Sequence, residues 1–324
     1  MQPQEIFHLV KDELRQVEEE FARQRRSPVR SIEEIGKYLQ EGGGKRIRPS
    51  LLLLCTKLCG QVNESAIKLA AVVEFIHTAT LVHDDIIDGA SVRRGRSSVN
   101  QKWGNQITVL VGDWLYMQSF YLALQERSFR ILDILIDLTQ RMVEGELIQL
   151  TLDGRPEVSE QEVLDIARRK TACLFSGCAR IGGLLGRVSD DQERALGEYG
   201  LNVGLAFQVT DDILDLNSSE RVLGKPVGSD LKEGKMTLPL VYALQVCNQA
   251  EAGKIKTVLQ EKAFRSVSKV EILSIVTRCR VLEKARKRAQ EFAERAEAAM
   301  EYFPPSPYRQ ALKAIPRMIL DRNR

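Results

Sequence analysis

Two short segments put carboxylates where a folded chain has least reason to tolerate them. Asp84-Asp85-Ile86-Ile87-Asp88 and Asp211-Asp212-Ile213-Leu214-Asp215 each set aspartates at i, i+1 and i+4 within an apolar stretch. On a helix, residues four apart share a face, with Cβ atoms about 5–6 Å apart. Carboxylates so crowded on buried helices repel one another unless cations hold them. Mg²⁺ meets that need, because it takes oxygen ligands, typically one or two carboxylates with substrate phosphates. The pattern predicts a metal-dependent diphosphate site on a helical scaffold.

The rest of the chain agrees on helix. Apolar positions recur every three or four residues over 6–21, 32–39, 66–82, 107–124, 131–150, 163–185 and 272–300. No run of alternating Val, Ile and Thr predicts a sheet. Ser31-x-x-Glu34, Ser159-x-x-Glu162 and Ser189-x-x-Gln192 have the form of capping boxes. Loops are short and polar, at 95–98, 153–157 and 223–235, and no linker or repeat divides the chain. A single all-α domain over residues 1–324 is the expectation.

Helical spacing sharpens the acidic pattern. His77, Thr80, Asp84 and Asp88 form one stripe, and Gly204, Gln208, Asp211 and Asp215 form another. Around them lie Phe75, Ile76 and Val82 on the first segment, and Phe207, Val209 and Ile213 on the second. One such cluster alone would suit helix-end surface carboxylates. Two of the same form argue for metal.

Basic groups stand near both. Gly42-Gly43-Gly44-Lys45-Arg46-Ile47-Arg48-Pro49 joins a glycine turn to three cations ahead of an apolar run, a combination suited to phosphate. The order is not that of a Walker loop. Arg93 and Arg94 follow the first cluster, Lys225 and Lys235 follow the second, and Lys170-Thr171 lies between them. Gly182, Gly183 and Gly186 have no strand before them and suit close helix packing rather than a nucleotide loop.

Composition excludes other classes. The net charge of +3 is too balanced for nucleic acid. Cys55, Cys59, Cys173, Cys178, Cys247 and Cys279 lack zinc-site spacing and suit reduced thiols in a cytoplasmic protein. Glu5, Lys11, Asp12 and Glu13 argue against a signal peptide, and apolar runs such as 51–55 fall short of the roughly 20 residues of a membrane span.

These ordered motifs resemble the trans-isoprenyl diphosphate synthases over nearly the whole chain. The match rests on GGGKRIRP (42–49), EFIHTATLVHDDIID (74–88), VRRG (92–95), KTACLF (170–175), AFQVTDDILD (206–215) and GKPVGSDLKEGKMTLPL (224–240). The resemblance implies a helical bundle around a central cavity and a homodimer. It implies Mg²⁺-dependent, head-to-tail joining of an allylic diphosphate to isopentenyl diphosphate, with release of pyrophosphate. By the same resemblance Asp84, Asp88 and Asp211 are direct Mg²⁺ ligands, supported by Asp85, Asp212 and Asp215. Arg93, Lys170, Lys225 and Lys235 hold the allylic diphosphate, Thr171 and Gln208 stabilise the allylic cation, and Lys45, Arg48, His77 and Arg94 form the isopentenyl diphosphate pocket.

Product length follows from bulk upstream of the first cluster. Ala79 and Thr80 are small where short-product members usually carry an aromatic, so the stretch resembles the long-chain, quinone-tail branch. Tyr116 and Phe120 are candidate floor residues. The long product brings transient membrane contact into view. A short-chain synthase, a terpene cyclase and a non-catalytic partner subunit are the alternatives. The cyclase needs neither GGGKRIRP nor a second aspartate cluster, and such a subunit tends to lose one cluster. The terminal Arg322 and Arg324 could close over a diphosphate, but read better as a frayed tail.

Overall fold

The computed structural model describes residues 1–217 and 227–322. Helices dominate, and the chain divides into two compact units. The first comprises Met1–Thr139, Leu174–Gly200 and Ala299–Ala314, and the second Gln140–Cys173, Leu201–Ala298 and Ile315–Arg324. The boundaries fall inside continuous helices, among them Phe129–Leu152, Asp190–Asn217 and Pro307–Leu320.

The first unit opens with α1 (Pro3–His8), α2 (Lys11–Gln24), α3 (Arg30–Glu41), α4 (Ile47–Cys59) and α5 (Glu64–Ile87). The continuous period expected over 6–21 is broken between α1 and α2, while Ile6 and Val10 on either side are fully buried. α3 starts two residues earlier than its serine implies. Val29 is the N-cap, and Glu34 pairs with Arg30 at 2.7 Å instead of completing a box with Ser31. α4 is buried from Pro49 through Thr56, and each leucine so buried is worth about 1.5–3 kcal/mol. α5 is capped by Asn63, whose side chain accepts from the Ala66 N–H at 3.0 Å.

A two-residue hairpin, β1 (Val92–Arg93) against β2 (Arg96–Ser97), is the one sheet among the described residues. It leads through α6 (Val99–Trp103) into α7 (Asn105–Gln125), which packs along α5. Gly112 permits that contact, since a Cβ there would lie 2.2 Å from His83 Nε2. By length and composition α5 and α7 are both apolar enough to cross a membrane, which the short apolar runs did not lead us to expect. α5 is mostly buried; α7 leaves Leu110, Met117, Tyr121 and Leu124 exposed.

α8 (Phe129–Leu152) is followed by α9 (Glu160–Ala167), a π-helical turn at Arg168–Ala172, and α10 (Cys173–Leu185). The sequence predicts one helix here. A π turn inserts a residue without interrupting apolar spacing, so periodicity does not register it. α11 (Asp190–Asn217) carries the second aspartate cluster in its last turns. The Ser159 and Ser189 boxes form as expected, Ser159 accepting from the Glu162 N–H and Ser189 from the Gln192 N–H, both at 3.3 Å.

The second unit continues with α12 (Ser229–Lys232), α13 (Leu238–Val246), α14 (Gln249–Glu261), α15 (Lys269–Arg278) and α16 (Val281–Ala299), before α17 (Pro307–Leu320). α15 and α16 divide the period expected over 272–300 at Arg280, whose φ of 51° no helix can continue. The core of this unit gathers Val209 and Ile213 of α11 with Leu240, Val258, Ile275 and Phe292. All six cysteines are free thiols, three of them buried.

The glycine cluster does serve close packing. A Cβ at Gly182 would lie 2.4 Å from the Leu52 carbonyl of α4, and one at Gly186 would lie 2.4 Å from Cys59 Cβ. Gly182→Ala therefore forces α4 and α10 apart and should cost about 1–3 kcal/mol. A lower urea midpoint measures this; an unchanged midpoint contradicts so close an approach.

Candidate active site

Within the first unit α5 carries the first acidic stripe. Asp84 and Asp88 are half-buried, whereas Asp85 is buried and already engaged. Arg93 Nε donates to Asp85 Oδ1 at 2.8 Å, and Asn100 donates to the Asp85 carbonyl at 3.2 Å. Burial pushes the Asp85 carboxyl up, Arg93 pulls it down, and Asp88 adds to the rise. Two of the three aspartates are half-buried and the third anchors an arginine.

The phosphate segment splits by role. Arg46 sits at φ 48°, turned toward Glu18 and Glu74, with which it pairs, so this cation belongs to the scaffold. Lys45 is exposed and Arg48 half-buried, with Arg48 Cζ 4.8 Å above the Phe175 ring. Arg48 Nη1 lies 3.1 Å from His77 Nε2. A guanidinium can only donate, so Nε2 accepts and the proton resides on Nδ1. The His77 pKa falls well below its ordinary value through burial first, then Arg48, Arg94, Arg46 and Arg93. His77 is a neutral imidazole.

The hairpin delivers the remaining arginines. Arg94 adopts φ 52° and donates to the Gly43 carbonyl. Gly44 adopts φ 150°, a conformation L side chains rarely take, and a Cβ there would crowd the Arg94 guanidinium at 3.0 Å. Tyr38, which the sequence did not single out, fixes the hairpin: its hydroxyl donates to the Ser97 carbonyl at 2.7 Å, and Arg96 stacks 4.0 Å over its ring. Tyr38 and Ser97 are 59 positions apart, so no local signal could have shown this. The first unit thereby brings together Arg48, His77, Asp85, Arg93 and Arg94 of the expected site.

In the second unit the π turn presents Lys170 and Thr171. Thr171 Oγ1 donates to Gln208 Oε1 at 2.7 Å, and Gln208 Nε2 donates to Asp212 Oδ1 at 2.9 Å. This relay fixes which end of the Gln208 amide faces Thr171. Asp212 is pushed up to about 8 by burial and by the charges of Asp230 and Asp211, against the pull of Gln208. Asp215 is buried and accepts from the Asp230 N–H at 3.3 Å, while its carbonyl accepts from Gly228 at 2.8 Å. Asp211 is the half-buried member. Lys235 pairs with Glu233 at 2.7 Å, and Lys225 lies outside the described residues.

The C-terminal segment is not frayed through Arg322. Its Nη1 donates to Asp211 Oδ1 at 2.8 Å, and its Cζ stands 4.7 Å over the Phe207 ring. Arg324 lies outside the described residues.

Among the described residues no three His, Cys, Asp or Glu gather closely enough to hold a metal alone. Asp84 and Asp88 are the half-buried aspartates of the first unit, and Asp211 is that of the second; carboxylate oxygens of this kind suit a cation that completes its shell with phosphate and water. Burial is the main cause of the Asp212 rise, and the charges of Asp230 and Asp211, which a divalent cation would offset, add to it.

A model of the polyprenyl synthetase family matches residues 29–276. The chain belongs to the polyprenyl synthetase family. It is 39% identical to the octaprenyl diphosphate synthase of Haemophilus influenzae, over 98% of this chain and 97% of that one. The octaprenyl diphosphate synthase of Escherichia coli is 36% identical, with both chains covered completely. Among solved structures, the polyprenyl synthase of Caulobacter crescentus, complexed with calcium and isoprenyl diphosphate, is similar with a TM-score of 0.95 at 33% identity. That alignment covers 99% of this chain and 98% of the other.

The neutrality of His77 gives this polyprenyl synthetase a pH signature. The folded pKa lies below the unfolded value of 6.5, so the unfolded chain binds the extra proton. Stability contributed at this position is present above that value and is lost as the pH falls toward the folded pKa. His77→Gln should flatten the decline in urea midpoint below about pH 6.5. A decline as steep as that of the parent protein contradicts the assignment.

Proposed function

We propose that this polyprenyl synthetase condenses an allylic diphosphate with isopentenyl diphosphate, head to tail, to a long-chain all-trans polyprenyl diphosphate, releasing pyrophosphate. Full-length similarity to octaprenyl diphosphate synthases carries the reading. Small Ala79 and Thr80 ahead of the first cluster support the long product. Residues 1–324 act as one synthase domain, a reading supported by unit boundaries that fall within helices.

Mg²⁺ is the metal we assign, with Asp84, Asp88 and Asp211 as direct ligands and Asp85, Asp212 and Asp215 behind them. When bound, Mg²⁺ supplies positive charge that favours departure of the pyrophosphate. Arg93, Lys170, Lys225 and Lys235 bind the allylic diphosphate and stabilise the negative charge that develops as its C–O bond breaks. The Thr171 and Gln208 oxygens face the allylic cation with their dipoles. Lys45, Arg48 and Arg94 hold isopentenyl diphosphate, and neutral His77 donates a hydrogen bond from Nδ1. The alkene attacks the allylic carbon, and the cation this leaves on the isopentenyl unit is quenched as the neighbouring C–H gives its proton to the released pyrophosphate and its electrons to the new double bond.

Asp84→Ala and Asp211→Ala should each lower turnover by at least about 100-fold with unchanged helicity. Normal turnover in either removes that residue from the metal set. Arg322 competes with the cation for Asp211, so Arg322→Ala should lower the Mg²⁺ concentration for half-maximal activity; a higher requirement reverses that role. Ala79→Phe should shorten the product if the chain grows past this position, and an unchanged product removes the tunnel from it.

A homodimer is the assembly we infer. Leu110, Met117, Tyr121 and Leu124 line one exposed face of α7, and Phe129, Ile136, Val143 and Leu147 line an exposed stripe of α8. Stripes this apolar are covered by another surface in most proteins. A cytoplasmic location, with transient membrane contact as the insoluble product leaves, completes the proposal.

A further inference from the structure

Lys170 does not reach out of the π turn unaided. Its ammonium pairs with the Glu146 carboxylate of α8, and its Nζ donates to Gln149 Oε1 at 3.1 Å. Glu146 and Gln149 stand three apart, on one face of α8. The neighbouring Arg169 is fixed by the same helix, pairing with Glu144 at 2.7 Å and, from α9, with Asp165 at 2.8 Å. Gly145 lets the two backbones meet: a Cβ there would lie 2.8 Å from Arg169 Cβ and 2.9 Å from the Lys170 nitrogen.

From this geometry we propose that Glu146 is a positioning residue for the condensation, aiming the Lys170 ammonium at the allylic diphosphate. The inference rests on the reading of Lys170 given above. Gln149 accepts one of the ammonium's three donors, and Glu146 holds the ammonium by its charge. A lysine side chain has much rotamer freedom to lose on binding. The α8 tether removes that freedom before substrate arrives. The carboxylate is 13% exposed, so water does little to weaken its hold. An exposed pair of this kind would be worth much less.

The experiment is a double-mutant cycle on the full-length enzyme, read as kcat/KM separately for the allylic diphosphate and for isopentenyl diphosphate. Glu146→Ala should lower kcat/KM for the allylic substrate by about 10–100-fold, the scale of a misplaced binding group. The KM for isopentenyl diphosphate should not move. Glu146→Gln retains an oxygen acceptor and should recover most of the loss. In a Lys170→Ala background, Glu146→Ala should add nothing. Gln149→Ala should show the same coupling with a smaller loss, and it carries the test if Glu146→Ala does not fold. Parent-like kinetics in Glu146→Ala, or a penalty that persists without Lys170, overturns the positioning role while leaving Lys170 in place. An unchanged allylic KM in Lys170→Ala overturns the reading of Lys170 itself, and the role of Glu146 with it.

Discussion

Opposed charge on apolar helices governs this molecule. Each aspartate cluster sits in a segment whose neighbours are core residues, so its charge must be met locally or neutralised. The fold meets part of it from within. Arg93 takes Asp85, Gln208 and burial hold Asp212, the Asp230 N–H reaches Asp215, and Arg322 reaches Asp211. The supporting aspartates Asp85, Asp212 and Asp215 are buried, while Asp84, Asp88 and Asp211 are not. That division suits a cation shared between carboxylate and phosphate oxygens.

The same constraint explains how cations are placed. A guanidinium with five fixed donors can anchor to the scaffold and still present donors to an anion. Arg93 is anchored in this way by Asp85, and Arg94 by the Gly43 carbonyl. Both depend on the short hairpin and on Tyr38, which ties it to α3. Lys170 follows the same logic from a π turn, a local irregularity that aims its side chain without breaking the helical run.

Much of this was legible in the sequence because it is local. The spacing of Asp84 and Asp88 and the boxes at Ser159 and Ser189 depend on residues within a turn or two. The glycines at 182 and 186 stood out by their spacing, although the groups they meet, Leu52 and Cys59, lie far off in the chain. What was not legible depends on distant partners or on backbone detail. Arg46 looks like its neighbours Lys45 and Arg48, but Glu18 and Glu74, each 28 residues away, claim it for the scaffold. Apolar spacing runs straight through the breaks at Val10 and Arg280 and through the π turn, so each was expected as unbroken helix. The docking of Arg322 on Asp211 joins residues 111 apart and left no trace in the tail's composition.

The central claim is that charge arranged in this way serves chain elongation from an allylic diphosphate. Purified protein supplied with Mg²⁺, labelled isopentenyl diphosphate and farnesyl diphosphate, its products sized after dephosphorylation, tests this most directly. The account predicts a single long polyprenol, formed only with the metal. A product of three or four isoprene units would contradict the long-chain assignment, and no elongation of any allylic primer would contradict the condensation itself.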